Sequence, residues 1–420
     1  MPGWRASLAC SVVALVTLAC GRQTHPAPTA SAPTGLAAVT VTVPAGMDQV
    51  PLDTPRQALV PPNWTMSVWA RVPRARLAAW APDGALLVSV PASGQVLRLA
   101  PDGQQARSSV LLDDLNQPHG LAFDGPTLYV AESNQLNTFR YGDGAATDRR
   151  VIAAGLPDAR SPELGGAYAH ALKSVAPGPD GAVYFSIGST GNISAADRTA
   201  DPARAVIMRI PPGGGASEPF ATGVRNGTGL AVAPDGSVWT AVNNRDDVAD
   251  PRPGPSYGNV TDYVNDHPPE FLARLTAGRE LGWPYCNPEA DGFVRDVQTN
   301  ADGAALDCAA LPAVEQTLGA HSAPLGLSFV DGALPEPFGQ GALLAVHGSW
   351  NRTPPRAPEV SFFDWRTGTL GPQQTLVGGF QAEDGTRWGR PVAAVVGPDG
   401  AVYITDDYAG AVYRLAPPGR

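Results

Sequence analysis

The stretch Pro82-Asp83-Gly84-Ala85-Leu86-Leu87-Val88-Ser89-Val90 joins a tight turn to an apolar strand, and the chain repeats it. Proline presets φ and glycine tolerates positive φ, so Pro-Asp-Gly marks a turn between two strands. Further copies of the tripeptide stand at 179–181, 234–236 and 398–400, and Asp-Gly alone stands at 124–125 and 331–332. A turn and strand that recur every ~40–60 residues are typical of propeller blades.

The repeats predict an all-β fold, a six-bladed β-propeller with a long inserted loop in the fourth blade. The insertion spans 243–321 and is expected to contain a short helix at 270–280. Loops longer than about 15 residues are usually functional in compact folds, so the insertion marks the working face. Residues 36–60 are expected to add one strand, a candidate for closing the ring. The blades are expected to begin near Trp64, Gln117, His170, Arg225, His321 and Arg390.

The composition agrees with many short strands. Of the 420 residues 43% are hydrophobic and 16% charged, and the chain has 47 glycines and 43 prolines. Such frequent turn formers suit strands joined by turns and leave room for few helices. The formal net charge of −10 argues against nucleic acid as a partner.

The N-terminus is predicted to be an export signal. Arg5 precedes an apolar run at 8–19 that is too short to span a bilayer. Residues 16–20, Val-Thr-Leu-Ala-Cys, resemble a relaxed bacterial lipobox and make Cys20 a lipidation candidate; the alternative is a plain signal peptide with an incidental cysteine. We therefore expect a signal at 1–20, a disordered tether and leading strand at 21–60, and a catalytic propeller at 61–420. The protein is expected in the periplasm or at the cell surface, with a lipid anchor as its only membrane contact.

Four cysteines are present, and two of them lie beyond the N-terminal segment. Cys10 falls inside the signal and Cys20 is the lipidation candidate, which leaves Cys286 and Cys308. Two remaining cysteines that are close in sequence are expected to pair in an exported chain. The chain has no Cys-x-x-Cys, so a zinc ribbon and covalently attached haem are both excluded.

Polar residues of unusual kinds stand at the start of the innermost strand in successive blades. Since the innermost strands line the channel and begin at one mouth, these residues are expected to converge around one cavity. A serine hydrolase would need Gly-x-Ser-x-Gly and a glycosidase two facing acids, and these positions have neither. Guanidinium groups suit a flat polyanion, and a neutral imidazole suits a general base. The converging residues are His119, His170, Arg225, Asn226, His321 and Arg390.

From 117 to 415 the chain resembles a known family, the soluble aldose dehydrogenases that depend on pyrroloquinoline quinone (PQQ), and within it the sorbosone dehydrogenase-like group. The resemblance implies oxidation of an aldose or aldehyde sugar by hydride transfer to bound PQQ, with calcium as a second cofactor. The motifs are specific through their fixed order: His170 ahead of Pro179-Asp180-Gly181, Arg225-Asn226-Gly227-Thr228-Gly229-Leu230, Gly282-Trp283-Pro284-Tyr285-Cys286, His321-Ser322-Ala323-Pro324-Leu325-Gly326, His347-Gly348-Ser349-Trp350-Asn351-Arg352, Gly389-Arg390-Pro391-Val392 and Asp406-Asp407-Tyr408-Ala409-Gly410.

The resemblance also implies roles for individual residues. It makes His170 the general base for the hydroxyl being oxidised, and Arg225 and Asn226 the pair beside the quinone oxygens. Arg352 and Arg390 correspond to basic residues that hold the cofactor. Calcium is expected to bind the backbone carbonyls of one loop and to act as a Lewis acid. The residues of this loop are Asn243, Asn244 and Arg245.

The chain departs from the better-known sugar dehydrogenases directly before the general base, where they have aspartate and this chain has Ala169. What orients His170 is therefore open. Lys173 either contacts the cofactor or ends a strand in solvent. Gln117 and His119 either contact sugar hydroxyls or form a polar plug in the channel.

Two further motifs leave alternatives open. Trp283-Pro284-Tyr285 either line the substrate pocket or form a buried aromatic clasp beside the disulfide. Asp406-Asp407 either bind a second metal or cap a turn in the last blade.

Two other functions fit the repeats. A calcium-dependent lactonase would need metal-binding carboxylates where this chain has arginines and histidines, and a non-catalytic envelope propeller would leave the basic ring unexplained. The sequence has no haem-attachment motif, so a dehydrogenase of this kind is expected to pass electrons to a separate acceptor.

Overall fold

The computed structural model describes residues 35–253 and 261–419, which form strands and connecting loops almost throughout. Six sheets, each with a core of four antiparallel strands, make the six blades. The prediction of an all-β, six-bladed propeller is confirmed.

The strands follow the chain blade by blade, from the innermost strand outward. Three strands precede the first blade: β1 (Ala37–Thr40), β2 (Gln57–Val60) and β3 (Thr65–Arg71). Blade one contains β4 (Ala78–Trp80), β5 (Leu86–Val90), β6 (Gln95–Asp102) and β7 (Gln105–Leu112). Blade two contains β8 (Gly120–Asp124), β9 (Thr127–Ala131), β10 (Leu136–Gly142) and β11 (Ala145–Ala153). Blade three begins with β12 (Val175–Pro177), β13 (Val183–Ile187), β14 (Val206–Ile210) and β15 (Glu218–Thr222).

The second half of the ring includes the insertion. Blade four begins with β16 (Gly229–Val232) and β17 (Val238–Val242), which are followed by helix α1 (Thr261–Asp266) and β18 (Phe271–Leu275). The insertion continues through β19 (Arg279–Glu280), β20 (Cys286–Glu289), β21 (Gly292–Arg295) and β22 (Gln316–Thr317). Blade five contains β23 (Pro324–Asp331), β24 (Gln340–Val346), β25 (Glu359–Arg366), β26 (Thr369–Leu370) and β27 (Gln374–Val377). Blade six contains β28 (Pro391–Val396), β29 (Val402–Asp406) and β30 (Ala411–Ala416).

The ring is closed by β3, which pairs with β30 as the outermost strand of blade six. Pairing the first strand of the propeller with the last leaves no gap between its ends. The expected closing strand at 36–60 is therefore wrong: β1 and β2 pair with each other outside the blades. Trp69 of β3 packs its ring 4.7 Å from that of Tyr403 in β29, so aromatic contact reinforces the closure.

The Pro-Asp-Gly phrase forms the turn between the innermost and second strands, as its chemistry predicts. In the first copy the Gly84 amide donates to the Ala81 carbonyl at 2.9 Å, and Gly84 has φ of 78°. The Asp83 carboxylate accepts from the Ala85 amide at 3.2 Å. The copies that follow the innermost strands of blades three, four and six repeat this aspartate bond, at Asp180, Asp235 and Asp399. A further copy, at 101–103, lies at the turn between β6 and β7.

The insertion is built differently from its prediction. The segment 270–280 forms β18 and β19 and no helix, because β18 pairs along its length with β17 as the third strand of blade four. β22 adds the fourth strand, β19 extends blade three, and β20 and β21 form a separate hairpin. The short helix of the insertion is α1. Blade four thus takes its two outer strands from within the insertion.

Cys286 and Cys308 form the predicted disulfide, with their Cα atoms 5.6 Å apart. Both cysteines are buried in one apolar cluster with Leu281 and Phe293. The bridge ties the β20–β21 hairpin to the segment that returns to blade four.

Replacing both cysteines with serine is expected to lower the free energy of unfolding by roughly 3 kcal/mol, the loop-closure contribution for a loop of this length. Denaturant unfolding of the variant beside the oxidised wild type measures it. Reducing agent should bring the wild type towards the variant, and equal unfolding midpoints for all three samples would contradict the expectation.

The predicted signal, the lipidation candidate Cys20 and the first part of the tether lie outside the described residues. None of the helices in the described part of the chain has the length and apolar character needed to span a bilayer.

Candidate active site

The six innermost strands meet on the propeller axis. A space of about 50 Å³ there is lined by residues of all six: Leu77 and Ala78, Gly120 and Leu121, Ser174 and Val175, Thr228 and Leu230, Gly326 and Leu327, and Ala393 to Val395. The strands run in the same direction, so the residues just ahead of them stand at the same mouth. These residues include Arg76, His119, Lys173, Arg225, Asn226 and Arg390.

Hydrogen bonds link neighbouring blades at this mouth. The Ser189 amide of blade three donates to the carbonyl of Arg225, ahead of blade four, at 2.7 Å. Arg390, ahead of blade six, donates from Nε to the His347 carbonyl of blade five at 2.9 Å. Arg76, ahead of blade one, donates to Asp407 of blade six at 2.9 Å. The predicted convergence of basic groups is therefore supported by hydrogen bonds between three pairs of neighbouring blades.

His170 is oriented by Ser189. The Nδ1 atom of His170 lies 3.0 Å from the Ser189 carbonyl oxygen and 2.9 Å from its Oγ. That Oγ donates its own proton to the Gly191 carbonyl at 2.7 Å, so it accepts from His170. Both contacts therefore place the proton on Nδ1. Nε2 is left as the acceptor and has no hydrogen-bond partner among the described residues.

Burial and the nearby guanidinium of Arg225 lower the pKa of His170 to about 3. The imidazole is therefore neutral at neutral pH, which is the state a general base requires. Its backbone packs against Gly188, where an added Cβ would lie 2.6 Å from the His170 Cβ. Ser189, which follows β13, therefore orients His170, and the residue before the histidine is Ala169.

Ser189→Ala is expected to lower kcat for sugar oxidation by about tenfold, the value of one hydrogen bond of 1–1.5 kcal/mol. The loss stays modest because the backbone carbonyl still accepts from Nδ1. Steady-state kinetics with saturating cofactor measures it. Ser189→Thr, which keeps the hydroxyl, should recover most of the activity; equal loss in both variants would contradict an orienting role.

Arg225 is buried and held in a fixed orientation. Its Nε and Nη2 donate to the backbone and side-chain oxygens of Asn192 at 3.2 and 3.1 Å, and its Nη1 donates to the Asn243 carbonyl at 3.3 Å. These bonds use three of its five N–H groups. Burial lowers the pKa of Arg225 to about 10, opposed by the charges of Asp246 and Glu270.

Asp246 is the main carboxylate beside Arg225, and the sequence did not single it out. It accepts from His321 Nδ1 at 3.1 Å and from the Asn351 amide at 3.0 Å. Burial opposes ionisation of His321, but its bonds to Asp246 and to the Val264 carbonyl hold the pKa of His321 above its usual value. His321 is therefore suited to a structural ion pair, and His170 is the neutral imidazole of this half of the mouth.

The other side of the mouth is formed by residues of blades five, six and one. His347 Nε2 lies 2.8 Å from Asp407, which also pairs with Arg76. Burial opposes ionisation of Asp407, but the bond to His347 and the charge of Arg76 lower the pKa of Asp407 to about 2. Arg390 adds a second guanidinium, whose pKa is lowered by burial and by Arg387.

The neighbouring Asp406 caps a turn. Its carboxylate accepts from the amides of Tyr408 and Ala409 at 2.9 and 2.8 Å. Of the two alternatives for the Asp406-Asp407 pair, the turn applies to the first residue, and the second faces the site. Trp283 is almost fully buried at 1% exposure, and its Nε1 donates to the Asn192 carbonyl at 3.2 Å, so it belongs to the buried clasp.

Other predicted residues lie near the mouth with their side chains engaged elsewhere. Lys173 is fully buried and donates to the carbonyls of Pro157 and Ala171 at 2.8 and 2.7 Å. Burial lowers the pKa of Lys173 to about 7. Arg352 donates to the Asn265 carbonyl and to Asp266 at the end of α1. Neither side chain has a hydrogen bond to the histidines and arginines of the mouth among the described residues.

His119 and Asn226 stand at the channel. The Nδ1 atom of His119 lies 3.2 Å from the Lys173 carbonyl, and its Nε2 is buried without a partner among the described residues. Burial and the charge of Arg76 lower the pKa of His119 to about 3. Asn226 Oδ1 accepts from Thr228 at 3.2 Å. Gln117 lies apart from both, in a surface cavity between blades one and two.

The predicted calcium loop is partly engaged in contacts within the protein. The Asn243 carbonyl accepts from Arg225, the Asn244 side chain donates to Pro269, and Arg245 forms a buried ion pair with Asp296. Two guanidiniums thus flank the loop. In 35–253 and 261–419, no group of three His, Cys, Asp or Glu side chains is placed to hold a metal.

The mouth does fit PQQ, a flat tricarboxylate. Arg225 keeps two N–H groups free of protein partners among the described residues, and Arg390 donates only through Nε, Nη2 and its backbone amide. Buried guanidiniums that are incompletely paired suit carboxylate and quinone oxygens. A neutral His170 beside them provides the acceptor for a proton.

Residues 58–417 match the TrAA12-like family, and the chain belongs to that family. That family is one of PQQ-dependent sugar dehydrogenase domains. An uncharacterized protein of Borreliella burgdorferi is 28% identical over 240 residues, which is 56% of this chain and 56% of that protein. The chain thus spans about half the length of that relative.

Solved structures share the fold. The holo PQQ domain of pyranose dehydrogenase from Coprinopsis cinerea has a TM-score of 0.74 at 20% identity, covering 90% of this chain and 100% of that one. A calcium structure of a Trichoderma reesei enzyme of carbohydrate-active family AA12 has a TM-score of 0.69 at 19% identity, covering 85% and 96%. The PQQ-bound aldose sugar dehydrogenase from Streptomyces coelicolor has a TM-score of 0.55 at 14% identity, covering 85% and 99%.

Proposed function

We propose that the protein oxidises an aldose or sorbosone-like aldehyde sugar, with His170 as general base and Arg225 and Arg390 holding PQQ. The observation that carries the proposal is the neutral His170, whose free Nε2 stands beside a buried, incompletely paired guanidinium. PQQ-bound structural neighbours support the choice of cofactor. When bound, PQQ supplies the two-electron acceptor for the hydride that leaves the sugar carbon.

The side chains supply the proton transfer and the charge stabilisation. Nε2 of His170 accepts the proton of the sugar hydroxyl, while Ser189 keeps the other ring nitrogen protonated. Arg225, preoriented by Asn192, presents its free N–H groups to an oxygen that gains negative charge during the reaction. Arg390, ahead of blade six, would bind an acidic group of the cofactor.

The predicted periplasmic or cell-surface location and the separate electron acceptor belong to the proposal. Calcium belongs to the proposal as well, as a Lewis acid held by backbone carbonyls of 243–245, and no step is assigned to it. Loading the purified chain with PQQ, with and without calcium chloride, and following dye reduction with glucose and sorbosone tests it. We expect sugar-dependent dye reduction that requires PQQ. Failure to retain PQQ, or turnover that is equal without it, would contradict the proposal.

A further inference from the structure

A second polar cavity lies between blades one and two, apart from the basic mouth. Its volume is about 770 Å³, within the range of roughly 300–1,000 Å³ typical of small-molecule sites. Its walls come from the β5–β6 loop, the β7–β8 connection, the β9–β10 loop and the β11–β12 connection. These connections lie on the same face as His170, which is itself part of the β11–β12 connection.

The lining suits an uncharged, polyhydroxylated ligand. Four amide side chains line it, and an amide both donates and accepts, as a sugar hydroxyl does. The ionisable side chains balance in number, two acidic and two basic, so the cavity does not select an anion or a cation. The amide residues are Asn116, Gln117, Asn134 and Gln135, and the charged residues are Asp114, Glu132, Arg149 and Arg160.

The floor of the cavity is rigid. Glu132 is only 2% exposed, pairs with Arg149, and also accepts from Asn137 and Gln135. Its charge is therefore satisfied within the protein and does not call for a bound cation. Asn134 also lines the cavity, and its Oδ1 is buried with no donor among the described residues, so its hydrogen-bonding capacity is not used within the protein.

The cavity wall is bonded to the His170 segment. The Asn116 amide donates to Asp158 at 2.7 Å, and the adjacent Pro157 carbonyl accepts from Lys173 at 2.8 Å. Lys173 follows His170 by three residues. A ligand in the cavity would therefore sit beside the active-site mouth on a shared framework.

We propose that this cavity is a saccharide site that binds neutral oligosaccharides. Gln117, for which contact with sugar hydroxyls is one of the two expected roles, lies in it with an exposed side chain. The inference depends on no step of the proposed dehydrogenase reaction, because binding in this cavity does not involve PQQ.

Calorimetric titration of the full chain, PQQ-free and PQQ-loaded, with cellotetraose, xylotetraose and maltotetraose tests the site. We expect saturable binding of at least one tetrasaccharide in both forms, weakened at least tenfold by Gln117→Ala combined with Asn134→Ala. Gln374→Ala, an exposed glutamine on blade five, is the matched control and should bind as the wild type does. Gln117→Ala alone is the fallback if the double variant does not fold.

The outcomes separate this proposal from the enzymatic one. No saturable binding of any tetrasaccharide, or equal affinity in the double variant and the wild type, would overturn the saccharide site. Sugar-dependent dye reduction without tetrasaccharide binding would leave only the proposed function. Tetrasaccharide binding without dye reduction would leave only the cavity proposal.

Discussion

His170→Ala is expected to reduce kcat for sugar oxidation by roughly 10²- to 10⁴-fold, the usual contribution of a positioned general base. The structure gives the reason: Ser189 fixes the proton on Nδ1, burial keeps the ring neutral, and Nε2 is left to accept. The other imidazoles of the mouth are less suited: His321 and His347 bond to carboxylates, and His119, although neutral with an unpartnered Nε2, has that atom buried.

Rates under saturating sugar and PQQ measure the effect, and the absorption spectrum of bound PQQ provides the control. The variant should retain the cofactor, because the groups proposed to hold it are guanidiniums. Wild-type kcat in a variant that binds PQQ normally would remove His170 from the mechanism. Loss of PQQ binding together with activity would instead make the residue part of the cofactor site.

Arg225→Met is expected to reduce kcat by about 10²- to 10³-fold, the cost of losing one preoriented donor to a developing negative charge. It should also weaken PQQ binding, because a buried cation that faces the cofactor is removed. Arg366→Met, at an exposed ion pair on blade five, is the matched control and should leave both quantities unchanged.

The same variant changes the pH dependence in a known direction. The charge of Arg225 is one cause of the lowered pKa of His170, so removing it raises that pKa towards the ordinary value. The base is then protonated at a higher pH, and activity should fall on going from pH 8 to pH 5 more steeply than in the wild type. Burial raises the pKa of Glu270 to about 7 and the charge of Arg225 opposes that rise, so Glu270 titrates in this range and its pKa also rises in the variant. The two profiles are therefore compared in a Glu270→Gln background. A parallel pH profile would contradict the coupling.

The architecture could be predicted from local chemistry. Each Pro-Asp-Gly turn depends on residues within four positions. The repetition of the turn along the chain then predicts the propeller. The helix expected at 270–280 was wrong because the apolar run Phe271-Leu272-Ala273 suits either structure. Pairing with β17, a contact that no local pattern encodes, decided for a strand.

Half of the site could be found in the same way. His170, Arg225 and Arg390 precede innermost strands, and this rule also covers Arg76, which stands ahead of β4 and was overlooked. The remaining residues follow the second strands of four blades: Ser189 after β13, Asp246 after β17, His347 after β24 and Asp407 after β29. These strand ends point to the same mouth, so the repeat indicated them too. Their pairing with particular basic groups depends on contacts between blades, which the sequence does not encode.

A crystal structure of the PQQ-loaded protein tests the central claim most directly. We expect the cofactor at the channel mouth, between the guanidiniums of Arg225 and Arg390, with Nε2 of His170 facing its reactive side and Nδ1 still bonded to Ser189. PQQ bound elsewhere, for example in the cavity between blades one and two, or a His170 ring turned away from it, would contradict the account.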